Sequence, residues 1–187
     1  ESIDDLMKAT LDRFGRIDVV INGAAGNFLC PAAQLSPKGF KTVMEIDAGG
    51  TFNVSKAAFD AYLRDHGGNI INISANLQYT GTPLQVHAAS AKAAVDTMTR
   101  IMAVEWGPLG IRVNVIAPGP IDETEGMTRL APGDVKEKMR SRIPLGRYGN
   151  IKEIADTALF VASPAASYMS GALVVVDGAQ WLAGGIF

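Results

Sequence analysis

Lys92 sits in the run Ala89-Ser90-Ala91-Lys92-Ala93-Ala94, and side chains this small let a ligand approach closely. It carries the only formal charge between Asp65 and Asp96, His66 and His87 aside. That setting suits an ammonium acting as a point-charge hydrogen-bond donor rather than as a nucleophile. Asp47 is the second group of interest, flanked by Ile46 and by Ala48-Gly49-Gly50. Beside an ammonium its carboxylate is expected to be ionised at neutral pH, which fits it better for polarising a bound water than for donating a proton directly. Ser74 closes a β-branched run and reads as a strand-end residue. His87 could be a general base by type, but no acid or nucleophile stands at a triad-like spacing, so it reads as a loop histidine that makes a hydrogen bond. The nearest phenol to Lys92 is Tyr79, thirteen positions upstream in an expected loop. No metal site is expected.

Alternating elements must position these groups. Ile3, Leu6, Met7, Leu11 and Phe14 recur at helical spacing before Gly15, so residues 2–14 should open the chain as a helix. Residues 17–21 are β-branched and run into Asn22-Gly23-Ala24-Ala25-Gly26, the pattern of a buried parallel strand entering a tight loop. A long helix is expected over 37–63, broken by Gly67-Gly68, with a strand at 69–73. After a loop containing Gly81 and Pro83, a helix over 92–105 leads through Gly107 and Gly110 to a strand at 111–116. A helix at 153–161 and a last strand at 173–176 complete the pattern. Strands alternating with helices predict an α/β fold, a Rossmann-like, doubly wound parallel sheet in a single domain over 1–187.

One part of such a fold is missing. A dinucleotide-binding sheet begins with a strand that enters a glycine-rich turn, and none precedes Ile17; Gly15 stands before a strand and Gly49-Gly50 inside a helix. Either the chain lacks its first βαβαβ half or the cofactor's phosphates are held some other way; the first reading is favoured because Val19-Val20-Ile21 would otherwise be an uncovered apolar edge, and on that reading the chain alone is expected to be inactive.

At 187 residues, 48% hydrophobic and 19% charged, the chain has the composition of a globular domain with one core. A net charge of −2 without a basic stripe argues against nucleic acid and anionic membranes as partners. No apolar run reaches the length of a membrane span. Cys30 is alone and can form no internal disulfide. The N-terminus shows no basic-then-apolar signal, and the ending Gly185-Ile186-Phe187 is no Ser-Lys-Leu type address.

Read together, His87 to Lys92 and Asn114 to Pro120 resemble the core of the short-chain dehydrogenase/reductase family. Four before Lys92, where that family carries its catalytic tyrosine, this chain has Ala88. Three further departures point the same way. They are Ala24-Ala25-Gly26-Asn27-Phe28 after the first strand, Asp47 in place of an asparagine, and a threonine one place late in Pro118-Gly119-Pro120-Ile121-Asp122-Glu123-Thr124. Together with Gln85-Val86-His87-Ala88 and Ala103-Val104-Glu105-Trp106-Gly107-Pro108 they are similar to the peroxisomal 2,4-dienoyl-CoA reductase branch. The mitochondrial branch keeps a tyrosine and a serine in this region, where this chain has Leu77 and Ala88.

The resemblance implies NADPH-dependent reduction of a 2,4-dienoyl-CoA to a 3-enoyl-CoA, in a homo-oligomer built through the two long helices and located in the peroxisome. It implies Lys92 at the nicotinamide ribose and Asp47 as the residue that polarises the proton-donating water. Asn22, Ala24, Pro118, Gly119, Pro120, Ile121 and Thr124 would line the cofactor. Phe28, Ser36, Pro37 and Lys38 would touch the acyl-CoA, and Arg129 would pair with a CoA phosphate. Two other readings remain open: a carbonyl reductase of the same family, with Tyr79 as its phenol, and a non-catalytic remnant that binds partner subunits through the long helices.

Overall fold

The computed structural model describes residues 2–130 and 134–183; the ending Gly185-Ile186-Phe187 lies outside the described residues. Helix α1 (Ile3–Phe14) starts at a capping box, in which the Ser2 hydroxyl accepts from the Asp5 amide and Asp5 answers back, and it stops at Gly15 with φ 70°. Strand β1 (Val19–Asn22) follows. A rod then runs over residues 37–66 as α2 (Pro37–Met44), a π turn (Glu45–Gly49), α3 (Gly50–Ala58), a second π turn (Phe59–Leu63) and the short α4 (Arg64–His66). This is the expected long helix, three residues longer and twice wound wide. The first wide turn, Glu45–Gly49, runs up to the pair Gly49-Gly50, each residue about 1 kcal/mol poorer than alanine in a helix, where regular winding is easiest to give up.

Strand β2 (Gly68–Ile73), the one-turn helix α5 (Leu77–Thr80), the long helix α6 (Val86–Trp106) and strand β3 (Ile111–Pro118) come next. Helices α7 (Glu125–Leu130) and α8 (Asp134–Ser141) precede α9 (Ile151–Ala162), whose capping box joins Asn150 and Glu153, and strand β4 (Leu173–Val176). Residues 77–80 and 86–91, expected as loop, are helical. Tyr79 and His87 are therefore helix residues, held there by side-chain bonds to α6 and to the loop after β1 that no local pattern encodes. Helices α7 and α8 were not anticipated, because their mostly polar sequences bury little and so carry no strong apolar period.

The four strands are parallel, in the order β1-β2-β3-β4. Val19 pairs with Asn69, Gly68 with Ile111 and Val115 with Leu173. One face carries a core of Met7, Val20, Ala58, Leu63, Ile70, Met102, Trp106 and Val113, contributed by α1, α3, α6 and the sheet. On the other, Ile71, Ile116 and Val161 pack with Ile154, Ala158 and Val174, so α9 covers it. Helices on both faces of a parallel sheet are the doubly wound arrangement, in which loops at the carboxyl ends of the strands form the ligand crevice. Among the described residues, strand β1 hydrogen-bonds only to β2.

Candidate active site

The π turn carries Asp47 into the protein, and α6 brings Lys92 to meet it. Asp47 Oδ2 lies 3.2 Å from Lys92 Nζ, with side chains 1% and 9% exposed. Asp47 Oδ1 accepts the Gly26 backbone N–H at 2.6 Å, which ties the loop after β1 to the same carboxylate. The Thr51 hydroxyl donates to the Asp47 carbonyl at 2.7 Å and steadies the wide turn. Lys92 Nζ also donates to the Ile73 carbonyl at 3.0 Å. An ammonium has three N–H donors; the Ile73 carbonyl takes one and Asp47 lies at ion-pair distance, which leaves a donor for a ligand hydroxyl.

Ala88, Lys92 and Asp96 form one i, i+4, i+8 row on α6, and all three are buried. Ala88 leaves no phenol beside Lys92. Asp96 is the carboxylate that reading the sequence missed: its Oδ2 accepts from Gln78 Nε2 at 2.7 Å and from the Tyr79 hydroxyl at 2.9 Å. Its Oδ1 is buried without a partner, a place suited to a water. The available signal was a charged residue beside Val95 in the buried row of a helix. Burial, and then the hydrogen bond to Asp96, push the Tyr79 hydroxyl well above its ordinary pKa, so this phenol keeps its proton. Gln78 Nε2 also reaches Ser74 Oγ at 3.2 Å. Ser74 is thus a strand-end residue within this network.

The expected ligand contacts fall into groups. The Asn22 side chain is turned into the fold, donating to Ser55 Oγ at 2.9 Å and to Asn72 Oδ1 at 2.8 Å, while Ala24 is exposed beyond the strand end. Pro118, Gly119 and Pro120 leave the carboxyl end of β3; the Gly119 N–H bonds the Val176 carbonyl, and a Cβ at Gly119 would stand 2.5 Å from Asp177 Cβ. Only glycine fits there. Ile121 is buried, and Thr124 donates to the Ile121 carbonyl and accepts the Met127 N–H, fixing the turn into α7. Asp177 Oδ2 in turn accepts from Asn76 Nδ2 at 2.9 Å, which joins the loops after β2 and β4.

Phe28 and Ser36 come together at the start of α2: a Cβ on Gly39 would lie 3.3 Å from Phe28 Cζ and 3.2 Å from Ser36 Oγ. Ser36 caps α2 by accepting the Gly39 N–H, Pro37 fills its first turn, and Lys38 is exposed. Arg129 on α7 makes an exposed 3.2 Å pair with Glu125, a contact weak enough to be exchanged for a phosphate. A cleft of about 700 Å³ elsewhere is lined by Asp122, Lys136, Arg147 and Tyr148. Its cations are already paired, Lys136 with Asp122 and Arg147 with Glu153, so it offers no free charge to a ligand. Among the described residues no group of three metal-binding side chains gathers, and no helix is long and apolar enough to cross a membrane.

A parallel doubly wound sheet with a buried lysine at its carboxyl rim defines a class. A family model described as Enoyl-(Acyl carrier protein) reductase matches residues 1–179, and the chain belongs to this short-chain dehydrogenase/reductase family. A short chain dehydrogenase from Bacillus anthracis superposes with a TM-score of 0.85 at 40% identity, covering 95% of this chain and 70% of that one. Among curated relatives, the peroxisomal 2,4-dienoyl-CoA reductase [(3E)-enoyl-CoA-producing] of Danio rerio is 56% identical over 183 residues, 97% of this chain and 61% of that protein. The peroxisomal 2,4-dienoyl-CoA reductase of Saccharomyces cerevisiae is 48% identical over 187 residues, all of this chain and 64% of that protein. The chain thus spans about three fifths of the length of the curated relatives it matches.

Proposed function

We propose that the protein carrying this chain is an NADPH-dependent 2,4-dienoyl-CoA reductase that yields a 3-enoyl-CoA and works in the peroxisome. The observation that carries the reading is the buried Asp47–Lys92 pair on a helix whose tyrosine position is Ala88. Its relatives' names supply the substrate class. The third N–H of Lys92 fits a ribose hydroxyl, and Pro118 to Thr124 give a close-packed wall at the same sheet end. Among the described residues no strand leading into a glycine-rich turn precedes β1 to hold the adenylate half.

When bound, the nicotinamide supplies a hydride to the far end of the conjugated dienoyl thioester. The chain's own residues do the rest. Lys92 orients the ribose, and Asp47 holds Lys92 while keeping the buried pair neutral. Charge then collects on the thioester oxygen, and protonation at carbon needs a positioned water rather than a phenol. Asp47 Oδ1 already accepts the Gly26 N–H and Oδ2 is held in the ion pair, so its pull on such a water runs through Lys92; Asp96 offers a second hold at its free Oδ1. Phe28 and the start of α2 receive the acyl-CoA, and Arg129 meets a phosphate of CoA. Exposed Phe52 on α3 and Ile101 and Val104 on α6 support homo-oligomer contacts through the long helices.

The test is NADPH-dependent loss of dienoyl-CoA absorbance by the full-length protein, with the product identified. A 3-enoyl-CoA is expected. Reduction of simple ketones with no turnover of dienoyl-CoA would favour the carbonyl reductase instead, and absence of NADPH binding the non-catalytic remnant.

A further inference from the structure

His87 is fully buried in the first turn of α6, and nothing in the reduction itself calls for it. Its ring stacks on Phe28 with centroids 4.2 Å apart and planes 23° from parallel. Its Nε2 lies 2.9 Å from the Phe28 carbonyl oxygen. That oxygen can only accept, so Nε2 carries the proton and the imidazole grips both the ring and the backbone of one residue. Two neighbouring bonds close the same seam: Asn27 Nδ2 donates to Gln85 Oε1 at 2.6 Å, and the Cys30 N–H to the Leu84 carbonyl at 2.9 Å. Leu84 is held at φ 66°, in the left-handed region that a leucine avoids, so the seam is kept at some cost in backbone strain. Phe28 is wedged between His87 and Gly39 of α2, yet 37% of it stays exposed.

We infer that His87 is a positioning residue: by stacking on Phe28 and fixing its carbonyl, it sets the aromatic wall that receives the acyl-thioester and so governs affinity for the substrate rather than for the cofactor. This inference rests on the dienoyl-CoA reading. Phe28 on a loop could take several rotamers, and an aromatic wall contributes to binding only if its position is fixed beforehand. The stack and the hydrogen bond supply that fixation from a helix that also carries Lys92, so wall and cofactor anchor share one rigid element.

The experiment uses the full-length protein with two variants that each keep half of the grip. His87→Phe retains the stack and loses the donor, and His87→Gln retains a donor and loses the stack. Each should raise KM for dienoyl-CoA about 10-fold, while the Kd for NADPH stays within about 2-fold. In a Phe28→Leu background the same changes at His87 should add little to KM, because the residue they act through is gone. A purely structural histidine would instead lower thermal stability while leaving KM and the coupling to Phe28 flat. If the parent reduces dienoyl-CoA and both variants keep its KM, or if their effects add fully to that of Phe28→Leu, His87 does not position the wall. A parent that binds NADPH yet leaves dienoyl-CoA unreduced overturns the functional reading first, and this inference with it.

Discussion

Lys92 Nζ stands 3.2 Å from Asp47 Oδ2, and the pair joins a π turn of one helical rod to the second turn of α6. Neither group is covered by water to any extent, so each depends on the other: a buried charge left alone costs far more than the pair contributes.

Removing one partner should therefore be worse than removing both. Lys92→Met, which leaves the buried Asp47 without its partner, is expected to lower stability by about 3–5 kcal/mol and to abolish turnover through lost cofactor placement. Asp47→Asn combined with Lys92→Met should recover most of the stability and none of the activity. Denaturant melts of the single and double variants, read beside NADPH titrations, check this. Additive losses of stability would show that the two do not act as a pair.

Asp96→Asn keeps the size of the side chain and its contacts with α5 but removes the charge beside the free oxygen. The expected fall in kcat is about 10²-fold, the lower end of what positioned acid–base groups contribute. Tyr79→Phe should cost less than 10-fold, since its hydroxyl only donates to Asp96. Dienoyl-CoA kinetics of the two variants decide the matter, and abolition of activity in Tyr79→Phe would hand proton transfer back to the phenol.

Glu153 caps α9 and pairs with Arg147, and the Arg147 hydrogen bond followed by the Asn150 backbone contact pulls its pKa from 4.5 to about 2. A carboxylate with a depressed folded value stabilises the fold above its unfolded value and loses that contribution as pH falls towards the folded one. The stabilisation is thus present above about pH 4.5 and fades towards pH 2. Glu153→Gln should melt earlier than the parent at pH 6, with the gap narrowing across that window. A pH-independent gap in melting temperature would mean that packing rather than charge is responsible.

Among the described residues strand β1 has one neighbour, and Val19 and Ile21 on it are 39% and 56% exposed. An open apolar edge pairs with whatever strand is offered. The 187-residue chain alone is expected to associate with rising concentration, and Ile21→Lys to suppress this. Light scattering across a concentration series makes the comparison. Equal association by parent and variant would place the contact elsewhere, on the exposed faces of α3 and α6.

The sequence by itself determined the strands, the long helices and the order in which they alternate. Ile17 to Ile21 and Leu173 to Val176 are legible because parallel strands inside an α/β fold are written as short, largely β-branched apolar runs, and Lys92 stands out because the residues around it are small and uncharged. What tertiary structure decided is which polar groups meet. Asp47 meets Lys92 from within the wide turn Glu45–Gly49, and winding of that kind is chosen by packing, not by local preference. Asp96 looks like any helical carboxylate until α5 folds back and places Gln78 and Tyr79 against it. His87 and Phe28 are fifty-nine positions apart, and only the docking of the loop after β1 onto α6 brings their rings to 4.2 Å. Periodicity reports which face of an element is buried. It carries no information about which buried side chain, distant along the chain, will satisfy a given donor or acceptor, and that pairing is fixed only when the elements pack.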